Sequence, residues 1–250
     1  MKIEDIPILV TTAVEAVAPF VSVTDRNLRI ALSLEAIKQW LMLYPTARIV
    51  VCDGSNFDFR PSLRAFGSDK SDRVESIFFD SDREQVMQKG KGFGEGEIVA
   101  YALWHSRWIR ECSVFAKCTG KLWISNFKPC LFGFNKKISI DCSYENVLRF
   151  TDRRIQCDTR FYLVNKTFYL KHFAQAHDAV NDYAGYYLEN AFAASLSGII
   201  HNRTDFLIAP QIHGVSGSLG TRYEPVEAPM FDSLGAGALR ALSRITKRIE

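Results

Sequence analysis

Apolar runs and helix-period stretches alternate along the first half of the chain. Residues 6–14 (Ile-Pro-Ile-Leu-Val-Thr-Thr-Ala-Val) form a short run with almost no polar break, the pattern of a strand covered on both faces. Over residues 25–43 the spacing changes. Leu28, Leu32, Ile37 and Leu41 recur at helical intervals behind an N-cap at Thr24 or Asp25, and Pro45 stops the helix. Residues 47–52 (Ala-Arg-Ile-Val-Val-Cys) read as a second buried strand, cut by the turn Asp53-Gly54-Ser55-Asn56. A shorter strand over 75–79, a Gly/Lys loop, a helix from about 94 to 110 and a strand over 113–118 complete a β-α-β-β-α-β succession. That order predicts an α/β fold with a mostly parallel, Rossmann-like sheet flanked by helices.

The second half is less regular. Strands are expected over 139–141, 161–165 and 205–210, and helices over 166–181 and 185–196. A Gly/Ser loop is expected over 213–223, and a basic amphipathic tail helix over 234–249. With no internal repeat and no long linker, one domain over residues 1–250 is expected.

Composition narrows the class. The chain has 250 residues, 47% of them apolar and 24% charged, as in ordinary soluble globular proteins. A net charge of +3 lacks the concentrated basic excess of a nucleic-acid binder, so no nucleic-acid partner is expected. Cys52, Cys112, Cys118, Cys130, Cys142 and Cys157 show no CxxC spacing, which points to buried free thiols rather than a disulfide framework or a zinc site. Acidic Glu4 and Asp5 ahead of the first apolar run argue against a secretory signal, and no apolar run is long enough to span a bilayer. A cytoplasmic protein is expected.

Candidate chemistry concentrates in a few places. Lys89-Gly90-Lys91-Gly92-Phe93-Gly94-Glu95-Gly96-Glu97 puts glycines and lysines at a helix start, where backbone amides can cradle a phosphate. The bland alternative is a flexible surface turn. The segment matches neither a Walker loop nor a dinucleotide fingerprint. Val114-Phe115-Ala116-Lys117-Cys118-Thr119-Gly120-Lys121 is a buried strand ending in a lysine-flanked turn. A doubly wound sheet places its ligand at that end of the strand. Lys117, inside the apolar run, needs an anion: either a structural carboxylate such as Glu97 or a ligand phosphate. Asp53 can accept hydrogen bonds from a base or ribose, or can simply shape a turn. Glu189, beside Tyr186 and Tyr187, reads either as a general base or as a surface carboxylate. Asp158-Thr159-Arg160 is a positioning pair or a salt bridge. The loop from His213 to Tyr223, with Ser216 and Arg222, suits a lid carrying an anion clamp, or is a plain surface loop. Asp80-Ser81-Asp82 is a weak Asp-x-Asp, and the scattered histidines lack ligand spacing.

In these blocks the chain resembles bacterial glycosyltransferases of the GT-A type that build lipopolysaccharide O-antigen and capsular polysaccharide. The resemblance is carried in order by residues 89–98, Lys117 to Lys121, Asp158-Thr159-Arg160-Phe161-Tyr162, Gly185-Tyr186-Tyr187-Leu188-Glu189 and His213 to Ser218. It implies a nucleotide-sugar donor bound by about residues 1–120, an acceptor and catalytic half over about 121–233, and the tail from 234 to 250. Asp53 would meet the nucleoside. Gly92, Gly94, Glu95 and Glu97 would line the donor site with Thr119, Gly120 and Ser216, and Lys117, Lys121 and Arg222 would face the phosphates. Glu189 would be the base of an inverting transfer, with Asp158 second in line. GT-A enzymes commonly hold a metal with an Asp-x-Asp at the strand end occupied here by Cys118-Thr119-Gly120. The departure implies metal-independent catalysis without a cofactor, unless Asp80 or Asp82 supplies a site. UDP-galactose is the implied donor. The acceptor would be a polysaccharide or a lipid-linked glycan, reached at the inner face of the cytoplasmic membrane through the basic tail. The competing readings are a metal-dependent nucleotidyl- or phosphotransferase and a non-catalytic nucleotide-binding scaffold.

Overall fold

A computed structural model describes residues 1–146, 151–197, 199 and 204–224. Its strands are β1 Ile8–Thr12, β2 Ile49–Asp53, β3 Val74–Phe78, β4 Val114–Thr119, β5 Leu122–Ile124, β6 Ile138–Ser139, β7 Cys142–Asn146, β8 Thr151–Cys157, β9 Phe161–Asn165, β10 Ile212–Val215 and β11 Arg222–Tyr223. The central sheet has the order β3-β2-β1-β4-β9-β6. β3, β2, β1 and β4 run parallel, while β9 and β6 are antiparallel to their neighbours. The mixed, mostly parallel sheet predicted from the pattern is present.

Every residue of β1 and β2 is buried, so side chains must find apolar cover on both faces. Alternation sorts them. Ile8, Val10, Ile49 and Val51 share a core with Ile37, Trp40 and Leu41 of the Arg26–Leu43 helix. Leu9, Val50 and Cys52 pack with Val99 and Ala102 of the Lys91–His105 helix. Asp25 caps the first of these helices by accepting a hydrogen bond from Leu28 N at 2.7 Å. The register sets Thr11 beside both Cys52 and Thr119, which aligns the carboxyl ends of β1, β2 and β4 along one edge.

Several local expectations change. The expected Gly/Lys loop is mostly helical: Arg83–Lys89 ends at Gly90, whose φ is +109°, and a new helix starts at Lys91. The glycines serve close packing there, since a Cβ on Gly96 would run into His177. Ser106 interrupts the expected 94–110 helix and caps a short Arg107–Glu111 helix, its Oγ accepting from Ile109 N at 3.1 Å. The 166–181 helix stops at His172, so that the chain can turn and lay His177 and Val180 against that glycine face. No strand forms over 205–210. There the Asp141 carboxylate accepts from Phe206 N at 3.1 Å, and Asp205 accepts from Cys142 N at 3.0 Å, in place of a ladder. The expected 213–223 loop instead carries β10 and β11, which extend β5 into a small antiparallel sheet. The polar β7–β8 hairpin was not expected at all. The basic segment 234–249 lies outside the described residues.

Candidate functional site

Asp53 ends β2 fully buried, and both of its oxygens are occupied. Oδ2 accepts from Thr12 Oγ1 and Val14 N, at 2.6 and 3.0 Å. Oδ1 accepts from Ser55 N, Ser55 Oγ and Phe57 N, at 2.8, 2.7 and 3.1 Å. A carboxylate so engaged has no lone pair left for a nucleoside, which corrects the expected contact. Its work is to fix the chain where it leaves β1 and β2. The strap of residues 13–21 that follows β1, together with Gly54 and Ser55, lines a cavity of about 450 Å³ at the carboxyl edge of the sheet. The place and size are those of a small-molecule site in an α/β fold.

Two buried cations line this cavity. Arg29, 7% exposed, projects from the first turn of its helix. It donates through Nε to Ala13 O and through Nη1 to Val23 O, both at 2.7 Å, clasping the two ends of the strap. Burial lowers its pKa, and Asp53 partly offsets this. Lys121 follows β4 with φ +72°, and its side chain is 6% exposed. None of the hydrogen bonds or ion pairs of the described residues ends on its ammonium, which lies against Gly217. Burial first, and then Arg29, bring its pKa down from 10.5 to about 8. Two neighbouring cations without a carboxylate salt bridge cost free energy in the empty protein, and an anion in the cavity offsets that cost.

A carboxylate lines the same cavity. Glu189, in the first turn of the Leu188–Ser197 helix, lines the cavity and accepts from Thr159 Oγ1 at 3.0 Å. Burial raises its pKa, its own backbone amide and Thr159 pull it down, and nearby Glu95 raises it further. The Thr159 carbonyl in turn accepts from Lys117 Nζ at 2.7 Å, and Lys117 also reaches Thr119 Oγ1 at 2.8 Å and pairs with Glu95. Lys117 is therefore a fully buried structural cation whose anion is Glu95, not Glu97 and not a ligand.

Of the residues expected at the site, Gly94, Glu95, Thr119, Lys121, Glu189 and Ser216 line the cavity. Gly92, Glu97, Gly120, Asp158 and Arg222 do not. Gly120 ties the strand ends together, its N donating to Thr11 O at 2.7 Å. Burial, and next the Asp82 carboxylate, raise the Glu97 pKa, and this residue sits beside Ser81 and Asp82 without lining the cavity. Asp158 is held in a bidentate pair with Arg160, which engages both of its oxygens. Arg222 is exposed on β11 and is not among the residues that line the cavity. The Gly/Ser turn does close over the cavity: Ser218 receives Lys91 Nζ on its hydroxyl and Ser22 Oγ on its carbonyl, both at 2.5 Å.

Arg29 and the strap over 13–21 escaped sequence reasoning, and Lys91 entered it only within the Gly/Lys segment. Arg29 carried a signal, since it shares its helix face with Ser33, Ile37 and Trp40, all buried.

Among the described residues, the carboxylates near this edge do not fit the metal common in GT-A enzymes. The end of β4 has no carboxylate, Asp80 pairs with Arg83, and Asp82 caps the Arg83–Lys89 helix. Among the described residues no three His, Cys, Asp or Glu side chains come together as a metal site.

No known family matches the chain by sequence, and no curated protein does. Solved structures match in shape. The mannosyltransferase Ktr4p from S. cerevisiae in complex with GDP aligns at a TM-score of 0.52 and 10% identity, over 92% of this chain and 75% of that one. The galactosyltransferase LgtC, in complex with donor and acceptor sugar analogues, aligns at a TM-score of 0.46 and 11% identity, over 76% and 70%. At such identities the likeness is one of fold: a mostly parallel central sheet flanked by helices, of the GT-A kind.

Proposed function

We propose that this chain is a glycosyltransferase that moves a sugar from a nucleoside-diphosphate sugar to a glycan hydroxyl with inversion. One observation carries the reading: Arg29, Lys121 and Glu189 line the same cavity at the carboxyl edge of the sheet. The acceptor oxygen attacks the anomeric carbon and its proton passes to Glu189 Oε. The bond from the anomeric carbon to the diphosphate oxygen breaks on the opposite face. Glu189 suits the base because its raised pKa strengthens its hold on a proton. Charge gathering on the leaving diphosphate is met by Lys121 and Arg29, already in place in a site sheltered from water. The Gly/Ser turn over 215–219, latched by Lys91, shields the donor. Transfer proceeds without a divalent metal, because these cations do the work that a carboxylate-bound ion would do.

The first donor to test is UDP-galactose. The first acceptor class is a polysaccharide or lipid-linked glycan in bacterial surface polysaccharide assembly, as the motif resemblance suggests. The enzyme would then act at the cytoplasmic face of the inner membrane, with the basic segment 234–249 as a peripheral contact. The test incubates the protein with labelled nucleotide sugars and lipid-linked glycan extracts in excess EDTA and follows label into glycan. Transfer from at least one nucleotide sugar is expected. Label confined to the donor across the panel, or nucleoside triphosphate consumption that needs Mg²⁺, would overturn the reading.

A further inference from the structure

The β7–β8 hairpin brings Cys142 and Cys157 face to face across two antiparallel strands. The local hydrogen bonds identify the kind of pair. Asp158 N donates to Asp141 O at 2.7 Å, linking the residues just outside the two cysteines, while Cys142 N donates to the Asp205 carboxylate rather than to its strand partner. That is the non-hydrogen-bonded type of antiparallel pair, in which Cα atoms approach to roughly 4.5 Å, within the range a disulfide spans. The two sulfurs touch at 2.7 Å. Cys157 is 1% exposed and Cys142 is half-buried, so solvent reaches the pair from the Cys142 side. The other four cysteines sit on different elements, and no second sulfur–sulfur contact occurs among the described residues.

We propose that Cys142 and Cys157 are an oxidative modification site, a dithiol that closes reversibly to a disulfide across the hairpin. The inference is independent of the transferase reading. With a small disulfide such as oxidised glutathione, the Cys142 thiolate attacks one glutathione sulfur, forming a mixed disulfide and releasing one glutathione thiolate. Cys157 then gives up its proton and attacks the Cys142 sulfur, which breaks the mixed disulfide and releases the second glutathione. Two thiols are oxidised and one glutathione disulfide is reduced to two thiols. The sulfur–sulfur hydrogen bond and burial hold the Cys157 thiol above its ordinary pKa, so the half-buried Cys142 is the sulfur that attacks first. The closed pair would staple the hairpin at its base. β8 runs from there directly into Asp158 and Thr159, the residue bonded to Glu189.

The experiment treats the folded protein with oxidised glutathione and maps tryptic peptides by mass, since cleavage at Arg149, Arg153 and Arg154 separates the two cysteines. The native protein should yield one cross-linked peptide joining Cys142 to Cys157, two hydrogens lighter than its parts and split by dithiothreitol. Cys157→Ser should stop at a glutathione adduct on Cys142, and Cys142→Ser should leave Cys157 unmodified. Persistent free thiols in the native protein, a Cys142 adduct that never resolves, or a cross-link formed only under denaturing conditions would each overturn the proposal.

Discussion

Replacing Lys121 with methionine should stabilise the empty protein. The side chain is 6% exposed and, among the described residues, no hydrogen bond or ion pair ends on its ammonium, so its burial is uncompensated there. That burial, and then Arg29, lower its pKa from 10.5 to about 8, and the shift reflects the cost of both. Converted, it is about 3 kcal/mol, an order-of-magnitude figure for a group this buried. Methionine keeps the stem's packing and removes the charge. At pH 7 the variant should therefore gain up to about 3 kcal/mol, or a melting point higher by about 5–10 °C in a domain of this size. The sign of the pH dependence follows. Below about pH 8 both folded and unfolded chains hold the proton and the whole penalty stands. Between there and 10.5 the folded protein releases the proton while the unfolded chain keeps it, so native stability climbs with pH. The advantage of Lys121→Met should shrink to under about 1 kcal/mol by pH 10. Urea titrations of both proteins from pH 6.5 to 10 provide the assay, since the remaining groups titrate alike in each. A variant less stable than the native protein at pH 7, or a difference that ignores pH, would refute the argument and mean that the ammonium has a partner in the folded chain.

Other consequences are as direct. Glu189→Gln should keep donor affinity and lose transfer by about 10²-fold or more, measured as binding and product formation on one preparation. Lys117→Met should leave the partly buried Glu95 without its partner and cost about 1–3 kcal/mol, visible as a lower urea midpoint. Retained stability with weakened nucleotide binding would instead return Lys117 to the phosphates. Thr159→Val removes the side-chain hydrogen bond that holds Glu189 down, so the acidic limb of the rate–pH profile should move to higher pH. An unmoved limb would separate Thr159 from the base. Liposome flotation with and without residues 234–250 tests the membrane contact, and absence from the lipid fraction at low salt would exclude it.

Strands β1, β2, β4 and β9 and the first long helix were readable in the sequence because period and burial agree there. Doubly covered strands are unbroken apolar runs, and the Arg26–Leu43 helix has a cap and a proline stop. Where tertiary contacts set the local shape, the pattern misled. Glycines 92, 94 and 96 look like loop residues until the segment packed against them is known. The β7–β8 hairpin alternates too few apolar residues to announce itself. At the site, Lys121, Glu95 and Glu189 were found because charge beside an apolar run is costly enough to stand out. Asp53 and Lys117 stood out for the same reason, yet their partners turned out to be the protein itself. Sequence marks a buried charge but not its partner, which here lies across the fold: Lys117 and Glu95 are on different elements, as are Asp53 and Thr12.

The central claim, a nucleotide-sugar donor held by buried cations, is tested most directly by thermal shift in excess EDTA. The panel would contain nucleoside-diphosphate sugars and nucleoside triphosphates, each tried on the native protein and on Lys121→Met. A ligand that binds the folded state raises the melting point by mass action, by about 2.7 kcal/mol of stability at a hundredfold excess over its dissociation constant. The account predicts that at least one nucleoside-diphosphate sugar stabilises the native protein without metal and loses most of that effect in Lys121→Met. Stabilisation only by nucleoside triphosphates with added Mg²⁺, or equal stabilisation of both proteins, would contradict it.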